Sequence, residues 1–359
     1  NFQLAWDLAL KAGDIDTIIG TLESLSQFFT LVCWQEEGVE IFEAAVEQMV
    51  KKGVAQPSIA PVKIHFAAHL ARIGENASAL EHLHGAKDAV QLDPSLLSQW
   101  HLILGKIEVS RGDYERAREN YARAKQLAEM LSQPILHIQI INQMGILAGM
   151  MGSHDKAVDY FLAVKSQSEL ISFAGMVSSS KTNLGVLYCL KNEHQIGRGY
   201  YQEALDTLNP NKDRALVSII QTNLGESSVE TKEYEKAIEY FEQALPVSIQ
   251  VGFKSGQINC LNGLGRVYLA QKDHDRADRY FLQALKVAQK NSIIPNGLQS
   301  IMWWGISQAK QGASNSAVTA LSFASAHPAA EHLISVHGDP ILQHEKEKMQ
   351  ATEWERSEE

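Results

Sequence analysis

The sequence contains little cysteine and little proline, and it has no long apolar run. Its three cysteines in 359 residues, Cys33, Cys189 and Cys260, are too few and too far apart for a disulfide framework or a zinc cluster. They indicate a reducing compartment, and we expect a cytoplasmic location. No stretch approaches the roughly 20 apolar residues of a membrane helix, and no signal peptide opens the chain. Nine prolines suit long helices joined by short turns.

Basic residues are also in short supply. The chain has 32 Lys and Arg against 42 Asp and Glu, which gives a net charge of -10. Nonspecific nucleic-acid binding is therefore not expected, because phosphate contacts require basic patches. A hydrophobic fraction of 45% with 21% charged residues is typical of a soluble protein with an ordinary core. The chain begins at Asn1 inside an apolar-periodic run, so we expect it to be a fragment of a larger protein.

Motifs for catalysis and metal binding are missing as well. The Gly105–Lys106 pair lacks the G-x-x-x-x-G-K-[ST] spacing of a P-loop, and G-x-S-x-G, H-E-x-x-H and C-x-x-C do not occur. His65 and His69 lie one helical turn apart, with His82 and His84 nearby, but we favour histidines at the surface or the groove edge over a metal site. We predict no enzymatic activity, no cofactor and no metal.

An internal repeat of forty residues is the dominant pattern in the sequence. Glycines mark it at Gly105, Gly145, Gly185, Gly225, Gly265 and Gly305. A small residue follows each glycine after twelve positions, a large and mostly aromatic one after sixteen, and a mostly small one after nineteen, as in Ala237, Phe241 and Ala244. These offsets follow one helical face, on which small residues allow close backbone approach and the large residue fills the gap.

A turn is expected seven residues after each glycine. The residues there are Gly112, Gly152, Asn192, Lys232, Lys272 and Gly312. Glycine and asparagine suit the left-handed position that ends a helix. Each repeat is therefore predicted to be a helix, a tight turn and a second helix.

The pattern resembles the tetratricopeptide repeat (TPR) in its forty-residue form. The strings that carry the resemblance include TNLGVLY with YYQEAL, TNLGESS with YEKAIEYFEQAL, and NGLGRVY with HDRADRYFLQAL. The resemblance implies an all-α fold, a right-handed α-α superhelix of about seven to eight helix pairs. We divide the chain into an N-terminal helical cap with a degenerate repeat (1–58), the array (59–326), and a C-terminal capping segment with an acidic tail (327–359).

The two ends resemble the sensor arm of STAND-type signalling ATPases. LAWDLALKAGDID and EEGVEIFEAAVEQM resemble the opening of such arms, and SAVTALSFASAHPAAEHL resembles their closing segment. The HGDP string at 337–340 departs from that pattern. Capping helices that hide the apolar ends of a solenoid are the alternative interpretation.

The resemblance places the first helix of each repeat along a concave groove that binds a protein or peptide. Amides lie along these helices, and an asparagine side chain matches a peptide unit because it both donates and accepts. They could equally bond neighbouring helices or turns. Lys106 and Arg266 have three repeats between them, which disfavours a clamp for a terminal carboxylate. The candidate groove residues are Asn142, Asn183, Asn223, Asn262, Gln139, Asn259, Lys106, Arg266 and Glu226.

Three functions remain open from the sequence. The first is the ligand-sensing regulatory arm of a larger STAND-type ATPase, in which a peptide or a small polar inducer shifts the curvature of the array. The second is a free-standing scaffold or adaptor that binds peptides in its groove. The third is an array that docks onto an enzymatic partner domain. In each case we expect a protein or peptide partner, with no nucleic acid and no membrane.

Overall fold

A computed structural model describes residues 2–31, 35–209, 213–291, 293–327 and 332–358. These residues form α-helices joined by short turns, and contacts divide the chain into two compact units. The first unit comprises residues 1–109 and 114–144, and the second comprises residues 110–113 and 145–359. None of the helices in the described part of the chain has the length and apolar character that a bilayer crossing requires.

The first unit begins with three helices that precede the regular repeat, α1 (Phe2–Ala12), α2 (Ile15–Leu31) and α3 (Gln35–Lys51). The repeat helices of this unit are α4 (Gln56–Ile73), α5 (Asn76–Val90), α6 (Pro94–Arg111), α7 (Tyr114–Met130) and the part of α8 (Pro134–Met150) up to residue 144. One hydrophobic core runs through this unit, with Trp6, Phe42 and Met49 buried at one end and Trp100 and Ile107 at the other.

The second unit takes the rest of α8 and continues the helix pairs. Its helices are α9 (His154–Leu170), α10 (Ala174–Leu190), α11 (His194–Leu205), α12 (Arg214–Glu230), α13 (Tyr234–Gln250), α14 (Lys254–Ala270), α15 (His274–Lys290), α16 (Ile294–Lys310), α17 (Ser314–Ala326), α18 (His332–His337) and α19 (Asp339–Glu358). The pairs from α4–α5 to α16–α17, with the more loosely related α2–α3, match the predicted seven to eight. The proposed boundaries at residues 58 and 326 stay predictions.

The repeat glycines pack as predicted, each against the large residue sixteen positions later. A Cβ atom at Gly105, Gly145, Gly185, Gly225 or Gly265 would lie 2.4–2.7 Å from a ring carbon of that aromatic partner. Contacts that short do not occur for real Cβ atoms, so the two helices of a pair reach this separation because the first one carries glycine. At the last repeat Leu321 replaces the aromatic, and the corresponding distance from Gly305 is 3.0 Å.

The turns inside the repeats lie at the predicted positions, and all six have the left-handed conformation that was expected of glycine and asparagine. Their φ angles are 78° at Gly112, 75° at Gly152, 64° at Asn192, 62° at Lys232, 64° at Lys272 and 80° at Gly312. In this conformation the backbone N–H groups just past the helix reach back to its last carbonyls: the N–H of Lys232 donates to Val229 and that of Glu233 to Ser228. Two lysines thus adopt a conformation that L-residues with a Cβ atom rarely take.

Candidate functional site

The first helices of the repeats lie side by side in the second unit. Helix α10 contacts α12, α12 contacts α14, and α14 contacts α16. We call the surface that these four helices share, on the side away from the repeat glycines, the first-helix face. At about 100° per residue, positions six and two before the glycine and one and five after it all fall on that side. The position three before the glycine lies between this side and the packed core.

Three of the predicted asparagines lie on neighbouring helices of this face. Asn183 on α10 and Asn223 on α12 occupy the same repeat position, two before the glycine, and both are half-buried. The equivalent place on α14 is Gly263, where a Cβ atom would lie 2.2 Å from the ring of Phe241. The asparagine of α14, Asn262, lies one position earlier. The second unit therefore presents two equivalent asparagines and a third that is displaced toward the core.

Asn262 differs from its counterparts in the preceding repeats. At the same repeat position the hydroxyls of Thr182 and Thr222 donate to the carbonyls of Ser178 and Ser218, at 2.8 Å each. Asn262 is only 4% exposed, and neither its Nδ2 nor its Oδ1 atom has a hydrogen-bond partner in the described part of the chain. A buried amide without partners costs about 1–3 kcal/mol. Its donor and acceptor together match one peptide unit.

Asn259 holds two helices together. Its Oδ1 atom on α14 accepts a hydrogen bond from Nδ2 of Asn296 on α16, at 2.8 Å. For this residue the structure shows the helix-to-helix bond that the sequence left open as an alternative to ligand binding.

An ion-pair cluster crosses three helices of the first-helix face. The guanidinium of Arg266 on α14 donates to Glu226 and to Glu230 on α12. The same group lies 4.5 Å from the ring centre of Trp303 on α16, in a cation–π contact. Burial raises the pKa of the Glu226 carboxyl above its ordinary value, and the charge of Arg266 acts against that rise.

The remaining candidates lie in the first unit. Lys106 on α6, and Gln139 and Asn142 on α8, all belong to it, with Asn142 buried and the other two half-buried. Burial, helped by the positive charge of Arg72, lowers the pKa of Lys106 to about 7. The structure thus places these three residues in a different unit from the asparagines of α10, α12 and α14.

Of the four histidines, His84 is exposed and His65 and His82 are half-buried, whereas His69 is more deeply placed than the predicted surface or groove-edge location. His69 is 1% exposed, its Nε2 atom lies 3.1 Å from Ser26 Oγ, and its ring packs on Phe42 at a centroid distance of 5.1 Å. Burial lowers the pKa of His69 to about 3. Among the described residues no three His, Cys, Asp or Glu side chains are grouped so that they could hold a metal ion.

The two described cysteines and Asp273 make contacts within the fold. Cys260 is buried, with its Sγ atom 3.2 Å from Thr222 Oγ1, and burial raises its pKa to about 11. Cys189 is half-buried against Gly197, and Cys33 lies outside the described residues. Asp273 caps α15 by accepting a hydrogen bond from the backbone N–H of Arg276.

Glu230 and Trp303 are not among the candidate residues, although both contact Arg266. A signal for the ion pair was present, because Glu226 and Arg266 occupy the same repeat position forty residues apart. In a repeat array such positions face each other on neighbouring helices. Opposite charges at equal positions in consecutive repeats therefore predict a contact. The orphaned state of Asn262 has no comparable signal, since it depends on which atoms surround the amide.

A stack of antiparallel helix pairs with a shared first-helix face defines an all-α repeat protein of the solenoid class. The family model for the tetratricopeptide repeat matches residues 176–250 and again residues 216–290. Residues 176–290 are therefore identified as tetratricopeptide repeats. A comparison with curated proteins found no sequence of significant similarity.

Solved structures with the same fold include a STAND protein with a tetratricopeptide repeat sensor from Pyrococcus horikoshii. It shares 17% identity and a TM-score of 0.60, and the alignment covers 96% of this chain and 52% of that one, so this chain spans about half its length. A Rap protein complexed with competence and sporulation factor shares 10% identity and a TM-score of 0.62, with 97% of each chain covered. NprR in complex with its cognate peptide NprX shares 15% identity and a TM-score of 0.57, with 80% of this chain and 84% of that one covered.

Proposed function

We propose that this chain is a regulatory binding domain that holds an extended peptide on the first-helix face of its second unit and acts by binding instead of catalysis. The half-buried amides of Asn183 and Asn223 line the path of the peptide, and the buried amide of Asn262 anchors it. A peptide backbone suits this lining because each of its units offers one donor and one acceptor.

The observation that carries the proposal is the unpartnered amide of Asn262. Buried polar groups are almost always hydrogen-bonded, and an exception calls for an explanation. A ligand that supplies both a carbonyl and an N–H removes the cost of burial, and that gain appears as binding free energy. The threonines at the same position in the two preceding repeats bond to their own helices and gain nothing from a ligand.

The likeness to the Rap protein and NprR supports a peptide as the ligand class. The Rap protein is complexed with competence and sporulation factor and NprR with its cognate peptide NprX, and both share the fold over most of this chain. Their identity to this chain is 10% and 15%, so the likeness concerns the fold, and the ligand class is our inference.

The test is selection of peptides by the full 359-residue chain. We expect immobilised protein to retain members of a library of N-acetylated, C-amidated heptapeptides randomised over the common amino acids except cysteine. Replacing Asn183 and Asn223 together with alanine should weaken binding of the selected peptides and leave the helical circular dichroism intact. Unchanged affinity in this double variant contradicts the proposed path.

As a finer proposal, we infer that the domain is the ligand-sensing arm of a STAND-type ATPase. The likeness of the fold to the P. horikoshii protein over 96% of this chain supports it, together with the strings at the two ends of the sequence. In such a protein a bound peptide favours one arrangement of the repeats and so shifts the state of an attached nucleotide-binding module. The test is the gene sequence upstream of the codon for Asn1, where we expect a G-x-x-x-x-G-K-[ST] segment in the same reading frame.

A free-standing peptide receptor is the second candidate. The observation that favours it is the match to the Rap protein, which covers 97% of both chains. A start codon within a few residues of Asn1 supports this candidate and contradicts the sensor arm. Peptide binding on the first-helix face is common to both.

A further inference from the structure

The ion-pair cluster on the first-helix face contains one more acid than base. Arg266 carries one positive charge, and its two partners Glu226 and Glu230 carry two negative ones. Arg266 is also the cation that acts on Glu226, while the nearby Glu230 raises the pKa of the same carboxyl. With both carboxylates ionised, the cluster has a formal charge of -1.

The two carboxylates of the cluster are more exposed than the guanidinium, as the binding of a cation requires. Arg266 is 12% exposed, whereas Glu226 is 33% and Glu230 is 45% exposed. The guanidinium already donates to both carboxylates, and its face is covered by Trp303. Two carboxylates therefore already compensate its charge. The two carboxylates retain acceptor capacity toward solvent, because each ionised carboxylate offers about four lone-pair sites.

A second observation on the same helix points to a ligand at this place. Asn262 precedes Arg266 by four residues, so the two side chains lie on the same side of α14, one turn apart. The Asn262 amide is buried and has no partner among the described residues. A peptide unit bonded to Asn262 brings the neighbouring side chain of the peptide within about one helical turn of the cluster.

We propose that the two carboxylates select a lysine or arginine side chain in the bound peptide. The cationic group is held between Glu226 and Glu230 beside the guanidinium of Arg266, while Asn262 holds the adjacent main-chain unit. This inference rests on the proposed peptide binding and adds the residue class that the site prefers. A peptide with an acidic residue at that point meets a net negative cluster and is excluded.

The experiment uses the same heptapeptide library on the full chain and counts residue types among the retained peptides. We expect enrichment of lysine and arginine at one position, and loss of binding when that lysine is acetylated. The variant Glu230→Gln should weaken the selected peptide by about twofold to fivefold, the size expected for a partly exposed charge pair. The control is Glu235→Gln, which removes the same charge from an exposed site in the first turn of α13 and should leave affinity unchanged.

The outcomes separate this inference from the one on which it rests. Peptides that bind without any cationic preference, or that respond equally to Glu230→Gln and Glu235→Gln, overturn the charge selection and leave peptide binding in place. Enrichment of acidic residues overturns it as well. Failure to retain any peptide overturns both the proposed function and this inference.

Discussion

Replacing Asn262 with leucine should make the ligand-free protein more stable. Replacing a side chain that serves the fold lowers the stability of the protein. Replacing one that serves a ligand can raise the stability of the ligand-free protein. Asn262 is buried, and both of its polar atoms lack partners in the described part of the chain. Leucine has the same branched shape and no polar atoms, so Asn262→Leu removes the unpaired amide with little change in packing.

The size of the effect follows from the cost of burying an unpaired polar group. That cost is about 1–3 kcal/mol, and we expect the free energy of unfolding to rise by about this amount. The matched control is Thr222→Val at the same position of the preceding repeat. Its hydroxyl donates to Ser218 at 2.8 Å and lies 3.2 Å from Cys260 Sγ, so this variant should lose about 0.5–1.5 kcal/mol.

The assay combines urea unfolding with hydrogen exchange. Urea midpoints followed by circular dichroism compare the variants with the native protein, and amide exchange of α14 reports the local change, since repeat arrays open in parts. We expect Asn262→Leu to unfold at higher urea and to slow exchange in α14, and Thr222→Val to do the opposite. A destabilised Asn262→Leu protein shows that the amide serves the fold, and refutes the reasoning.

Three further predictions concern the fold. Gly225→Ala should destabilise the protein by about 1–3 kcal/mol, because its Cβ atom would lie 2.6 Å from Phe241 Cε1, and a lower urea midpoint checks it. Lys232→Gly should stabilise the protein by about 0.5–1 kcal/mol, because glycine adopts a φ of 62° without strain. Asn192→Gly should stabilise it less, because asparagine tolerates this conformation, and thermal unfolding of the two variants checks the difference. His69 stays neutral in the fold, with its pKa lowered to about 3, whereas the unfolded chain takes up the proton near pH 6.5. The contribution of His69 to stability should therefore fall by about 1.4 kcal/mol per pH unit as the pH drops from about 6.5 toward 3. Urea midpoints between pH 7.5 and 5 should show a flatter dependence for His69→Gln than for the native protein.

The repeat could be predicted from the sequence because its packing depends on residue size at fixed spacing. Gly225 and Phe241 form one such pair, and the same contact recurs along the array. The turns at Lys232 and Lys272 followed from the register, but their left-handed conformation did not, because the residue type argues against it. The burial of His69 was not predictable, since it depends on Ser26 and Phe42 from the irregular N-terminal helices, which lie outside the repeat register.

The sequence predicts which helices carry the candidate asparagines, and it says little about the contacts of their side chains. The repeat register placed Asn183, Asn223 and Asn262 on successive first helices. It also showed that Asn262 lies one position earlier than the other two, but not that its amide lacks hydrogen-bond partners in the described part of the chain, nor that Asn259 is bonded to Asn296. Such differences come from contacts between particular atoms of neighbouring helices, and a pattern of residue types does not specify them.

The central claim, that Asn262 holds a main-chain unit of a peptide, is tested most directly by a double-mutant cycle. The peptides are one selected from the library and its versions methylated at one backbone nitrogen at a time. Calorimetry would measure the binding of each peptide to the native protein and to Asn262→Leu. We predict one position at which methylation weakens binding to the native protein by about fivefold or more and has no effect on binding to Asn262→Leu. Equal methylation penalties in the two proteins at every position would contradict the claim.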